Sequence, residues 1–194
     1  MKQDDYLNAF SLLNTISSGL DAYLRYTVKS NGFNTGEKEN LLNSVLLQLP
    51  LLVRGTARIY LYHPDEQNEH TLIFWEKGSF MPPVNIFLNI EGRIPMIEYL
   101  EDSLILAIEA KHLRNLYQHF AEFAPMVTKI SEQHFSQLMV IRRRLSEMSV
   151  EERYLSFEDE KRYLFNICES QHIASFLGMH PKTLSMLKGR NLKR

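Results

Sequence analysis

The sequence predicts an α+β chain: helices and a compact β-roll or sandwich in front, one long helix behind them, and a helix-turn-helix at the end. Three observations carry this. Apolar residues recur at steps of three and four near both ends of the chain. Between residues 51 and 108 they fall instead into short runs of branched and aromatic residues separated by turn chemistry. Charge is also divided: residues 1–128 hold 10 Lys/Arg against 15 Asp/Glu, whereas residues 129–194 hold 12 against 8.

Phe10, Leu13, Ile16, Leu20 and Leu24 predict an amphipathic helix from Tyr6 to about Val28, broken at Asn31-Gly32. Thr35-Gly-Glu-Lys-Glu ahead of Leu41, Leu42, Val45 and Leu46 predicts a second helix. The pattern then changes. Ala57-Arg-Ile-Tyr-Leu-Tyr and Thr71-Leu-Ile-Phe-Trp read as a hairpin around the polar loop His63-Pro-Asp-Glu-Gln-Asn. Gly78, Pro82, Pro83, Gly92 and Pro95 punctuate further short strands through Ile97-Glu-Tyr-Leu and Leu104-Ile-Leu-Ala-Ile. Helical spacing returns from Lys111 to about Phe123, and Pro125 suits the first turn of the long helix that follows.

In that long helix Val127, Ile130, His134, Leu138, Ile141, Leu145 and Met148 form a coiled-coil-like seam. A lone helix packed on its own domain would show the same pattern. A run of about three heptads with Arg142, Arg143 and Arg144 beside it favours a homodimer. Ser149 and Glu152 then have capping-box spacing for a new helix, and Glu158-Asp-Glu reads as a loop or hinge. The expected organisation is a sensor domain over residues 1–124, a dimerisation helix over 125–148 and a DNA-binding domain over 149–194.

The segment QHIASFLGMHPKTLSMLKGR, residues 171–190, matches two short helices crossing at a tight turn. Ile173, Ala174 and Leu177 give the first helix an apolar face, and Gly178 supplies freedom in the turn. Met179 fills the space between the helices, Pro181 fixes entry to the second, and Leu184 and Leu187 face inward. His180, Lys182, Thr183, Ser185, Met186, Lys188 and Arg190 are left as candidate DNA contacts. A packing hairpin shares the apolar pattern, but from Gln171 to Arg194 there are five basic residues and no acid, as duplex binding requires.

Composition excludes several classes. A single cysteine, Cys168, allows neither an internal disulfide nor an iron–sulfur cluster held by several thiolates of one chain. No apolar run reaches a membrane-spanning length and the acidic start is unlike a secretory signal, so a cytoplasmic protein without membrane contact is expected. The seven histidines form no two-histidine zinc motif with an intervening Glu, and no phosphate loop or nucleophile elbow is present. The expectation is a non-enzyme with no metal and no cofactor.

The run IASFLGMHPKTLS resembles the helix-turn-helix of the CRP/FNR transcription regulators, particularly the subgroup common in Bacteroidetes. MSVEERY followed by a Phe resembles the link that precedes it, and GSF at 78–80 with YLEDSLILAI at 99–108 resembles the cyclic-nucleotide-binding β-roll of that family. The resemblance implies a cyclic-nucleotide-binding-like β-roll, a long dimerisation helix, a homodimer that binds double-stranded DNA, and possible contact with RNA polymerase. It also implies a site at which an effector repositions the recognition helices.

Several positions depart from the family pattern. The Gly-Glu pair that holds a ribose is replaced after GSF by Met81-Pro82-Pro83. Arg93 stands where the phosphate-gripping arginine would be, but beside Ile94 and Pro95 in place of small residues. The implied pocket is therefore altered or degenerate, with Arg93 as its candidate ligand and a different small effector, or none, in place of cyclic AMP. Met186 takes the place of an arginine that pairs with guanine, and residues 149–194 leave no room for the wing of larger relatives. The alternative reading is a degenerate module that binds a protein and not DNA.

Overall fold

The computed structural model describes residues 2–41, 47–81 and 92–191. Two helices open it, α1 (Lys2–Ser11) and α2 (Ser18–Thr27). One continuous helix was expected here; Asn14 to Ser17 interrupt it, and the Ser17 hydroxyl caps α2 by accepting the Leu20 N–H.

Among the described residues, seven strands follow in two antiparallel sheets. β1 (Val28–Phe33), β7 (Ser103–Glu109) and β3 (Leu47–Arg54) form one; β2 (Lys38–Asn40), β6 (Ile94–Tyr99), β4 (Thr56–His63) and β5 (Asn68–Glu76) form the other. The described part of the helix expected after Thr35 is not helical: Lys38–Asn40 pair with Met96–Glu98 as a strand, and the rest of the expectation, over Leu42, Val45 and Leu46, lies outside the described residues. Tertiary pairing overrides a local apolar pattern in this case.

The central strand β7 alternates between two cores. Ile105 and Ala107 face the space between the sheets, with Leu52, Ile59, Trp75, Ile97 and Tyr99. Leu106 and Ile108 face α1, α2 and the helical layer formed by α3 (Ala110–His119) and the start of α4 (Phe123–Glu147). Burial on both faces explains the unbroken apolar run Leu104 to Ile108.

The C-terminal helices are α5 (Val150–Lys161), α6 (Leu164–Ile167), α7 (Ser170–Phe176) and α8 (Pro181–Asn191). The capping box at Ser149 and Glu152 is present, both bonds formed. Glu158, Asp159 and Glu160 are not a hinge; they belong to α5, where Glu160 makes a two-pronged pair with Arg144 at 2.8 Å. These helices share a core with the sheet: Phe74 of β5 packs among Tyr154, Phe157, Ile173 and Leu177.

α4 faces its own subunit along the expected seam. Ile130 and His134 are buried there, Val127, Ile141 and Leu145 are half-buried, and Leu138 is half-buried at the border of this face. The exposed large apolar side chains of α4 are Phe135 at 66%, Met139 at 53% and Val140 at 42%, about a quarter-turn or more away. Ile130 and His134 are accordingly core residues of one chain.

Candidate nucleic-acid interface

α7 ends as its sequence requires. Gly178 adopts φ +62°, Met179 N–H donates to Ala174 O at 3.0 Å and Gly178 N–H to Ser175 O at 3.1 Å. This is the paired-bond termination that a left-handed residue makes possible. A Cβ on Gly178 would also lie 2.9 Å from Leu145 Cδ2, so the turn is pressed against α4. Arg153 fastens the same junction, donating to the carbonyls of Leu145, Met148 and Gly178 at 3.0, 3.3 and 3.3 Å.

α8 starts at Pro181, whose missing N–H is no loss in a first turn. His180 precedes it; its Nδ1 accepts the Lys182 N–H at 3.1 Å and its carbonyl accepts from Thr183 and Leu184. Leu184 and Leu187 are buried. On the opposite face Lys182, Ser185, Met186 and Gly189 follow one another at helical spacing, all exposed, with Arg190 exposed at the flank and Thr183 half-buried. Lys188 lies elsewhere: half-buried, with its ammonium 4.6 Å from the Phe165 ring centre. Of the seven candidate contacts, His180 thus caps the helix and Lys188 is held at its side, while Lys182, Ser185, Met186 and Arg190 stand free of the core.

α7 is placed differently, against the edge strand β5. Thr71 N–H donates to Ser175 Oγ at 3.1 Å, and that hydroxyl donates to Glu69 O at 3.3 Å, so one serine satisfies the open edge of the sheet. Glu76 of the same strand takes hydrogen bonds from Lys161 and Tyr163. Beneath α7 lies Arg58, fully buried, whose guanidinium bonds Glu98 at 2.5 Å, Thr71 at 3.3 Å and Glu69, and stacks 4.1 Å from the Tyr60 ring centre. Sequence reasoning missed this network, since Arg58 reads there as one polar residue in a strand.

His172 completes the junction, with Nδ1 3.5 Å from Glu69. Burial, and then the Arg58 charge, hold its pKa below the ordinary value against the pull of the surrounding carboxylates. Burial raises Glu69, but the hydrogen bond and charge of Arg58, with Lys38, outweigh it and leave the carboxyl below its usual value. Glu69, Glu98 and His172 have the spacing of a metal set, yet Arg58 and Lys38 already supply cations to both carboxylates. A cleft of about 970 Å³ opens between β5 and the start of α8, walled by Lys38, Glu69, His70, His172, His180 and Pro181.

Arg93 is half-buried just before β6. Pro82 and Pro83, at the ribose position of the resemblance, lie outside the described residues. No helix among the described residues is long and apolar enough to cross a membrane.

Among solved structures, a transcriptional regulator of the Crp/Fnr family from Eubacterium rectale superposes with a TM-score of 0.72 at 20% identity, over 93% of this chain and 85% of that one. The fold is that of the CRP/FNR regulators. The c-di-GMP-responsive global regulator of Xanthomonas campestris shares this CRP/FNR fold with the chain at TM-score 0.64 and 13% identity, covering 91% and 92% of the two. A cyclic nucleotide-binding domain protein from Listeria monocytogenes matches at TM-score 0.64 and 14% identity, covering 97% and 91%. No family model and no curated protein sequence matches.

Proposed function

We propose that this chain is a DNA-binding transcription regulator of the CRP/FNR type, working as a homodimer with α8 as its recognition helix. The observation that carries this is the outward face of α8: Lys182, Ser185, Met186 and Arg190 are exposed in an acid-free segment, at the end of a fold whose neighbours are named as regulators. Cytoplasmic location and contact with RNA polymerase belong to the same reading, as does the assignment of residues 149–194 to a DNA-binding domain.

The dimer seam of this proposal runs along the face of α4 that its own subunit leaves open. Ala124, Thr128, Ser131, Phe135, Leu138 and Arg142 recur there at alternating steps of four and three, each exposed or half-buried, with Met139 beside them. Arg93 stays as the candidate ligand for an anionic effector, and no cyclic nucleotide is assigned.

The test is a gel shift against the promoter of the chain's own gene at two salt concentrations. A complex that forms at low salt and weakens steeply with added salt supports the reading. No complex at low salt supports a protein-interaction module instead. Phe135→Glu with Leu138→Lys is expected to give a monomer by analytical ultracentrifugation, and a retained dimer would remove this face from the interface.

A further inference from the structure

Nothing among the described residues packs against Gly189. It sits in the last turn of α8, two residues before Asn191, with helical backbone and not the left-handed φ that five other glycines adopt. A Cβ built on it meets nothing within 4 Å among the described residues, so none of these requires the space. A glycine with helical backbone weakens a helix relative to alanine, and this one stands on the axis of the outward stripe Lys182, Ser185, Met186, Gly189, diametrically opposite the buried Leu184 and Leu187.

The chemistry of that stripe is graded along the helix. Its first turn carries an ammonium and a hydroxyl, at Lys182 and Ser185. Its second carries a thioether that is 50% exposed, Met186, followed by the bare backbone of Gly189. None of the four has the planar pair of hydrogen-bonding groups with which Arg, Asn or Gln reads guanine or adenine. What the second turn matches is the apolar element of the major groove, the C5 methyl of thymine.

We infer that Met186 and Gly189 form an apolar notch that seats a thymine methyl group, with Gly189 leaving clearance for the groove floor to approach the helix backbone. The target half-site therefore carries an A·T pair beneath this turn, while Lys182 and Arg190 meet phosphates on either side. The inference rests on the DNA-binding reading and assigns its specificity.

The experiment selects duplexes from a random-sequence pool with the full chain, then replaces thymine by deoxyuridine in the selected half-site, which deletes only the methyl group. Wild-type protein is expected to bind the deoxyuridine duplex about fourfold more weakly, the loss of one buried methyl, while Met186→Ala discriminates little between the two. Gly189→Ala is expected to lower affinity by about tenfold or more. The same variant should melt about 2–4 °C higher, because alanine strengthens the helix. A merely structural glycine would move stability and binding together; a clearance glycine moves them in opposite directions. Enriched duplexes that bind equally with thymine or deoxyuridine, or unchanged affinity in Gly189→Ala, would overturn the notch and leave DNA binding standing. A pool from which nothing is enriched at low salt overturns the DNA-binding reading, and the notch with it.

Discussion

α7 and α8 are adjacent helices of one motif, yet their polar faces meet opposite fates. In α7, His172 and Ser175 turn toward β5 and are absorbed into an ion-pair and hydrogen-bond network around Arg58. In α8, Lys182, Ser185 and Met186 meet nothing of their own subunit that buries them. The difference teaches that the motif has a docked half and a presenting half. Substitutions in the first should register as stability, and in the second as affinity.

The largest expected effect is at the centre of the docked half. Arg58→Ala leaves Glu69 and Glu98 facing each other without their buried cation, at a cost of about 3 kcal/mol read from the urea midpoint. A midpoint shifted by less than a third of that would show the network to be dispensable. Next, Ser175→Ala strips partners from Thr71 N–H and Glu69 O at the sheet edge, for about 1 kcal/mol and faster protease cleavage near α7.

Acidification probes the same junction. Burial and the Arg58 charge put the folded pKa of His172 below its ordinary 6.5, so the unfolded chain takes up the proton first. The stability this group contributes is complete above that value and is lost as pH falls through the folded pKa. The melting temperature is therefore expected to drop between pH 7 and pH 5, and His172→Gln to flatten part of the fall. Buried His134 is lowered by burial alone, against the hydrogen bonds of Gln137 and Phe80, and adds its own share, which His134→Gln isolates. Glu69, lowered from 4.5, contributes its stability in full above that value and loses it only at lower pH, as the pH falls through its folded pKa.

The smallest effect on stability is expected in the presenting half. Lys182→Ala should leave the melting temperature within error, yet weaken DNA uniformly across sequences and reduce the salt slope by about one. A shift in melting temperature with an unchanged salt slope would reverse the assignment of the two halves.

Some features are local, and these are legible in residue order. The capping box at Ser149, the hairpin Thr56–Glu76, the left-handed Gly178 and the inward Leu184 and Leu187 each depend on neighbours within a few positions. The acid-free tail and the two apolar periods are of this kind too; they give the α+β class, while the family fold came from the resemblance carried by IASFLGMHPKTLS, GSF and YLEDSLILAI. Where the apolar pattern served two purposes it misled: Ile130 and His134 have seam spacing but lie in their own subunit's core, and Lys38–Asn40 became a strand because β6 lay ready to pair with it.

By itself, then, the sequence determined the α+β class, the helix-turn-helix at the end and the charge of that end, because periodicity and capping act over one or two turns of chain. Only the tertiary structure decided which face of each helix is left open. Burial of Arg58 with Glu69 and Glu98, capture of Ser175 by a sheet edge, and the empty space beside Gly189 all join residues far apart in sequence or depend on their absence. Such facts are fixed by packing in three dimensions, and no local spacing encodes them.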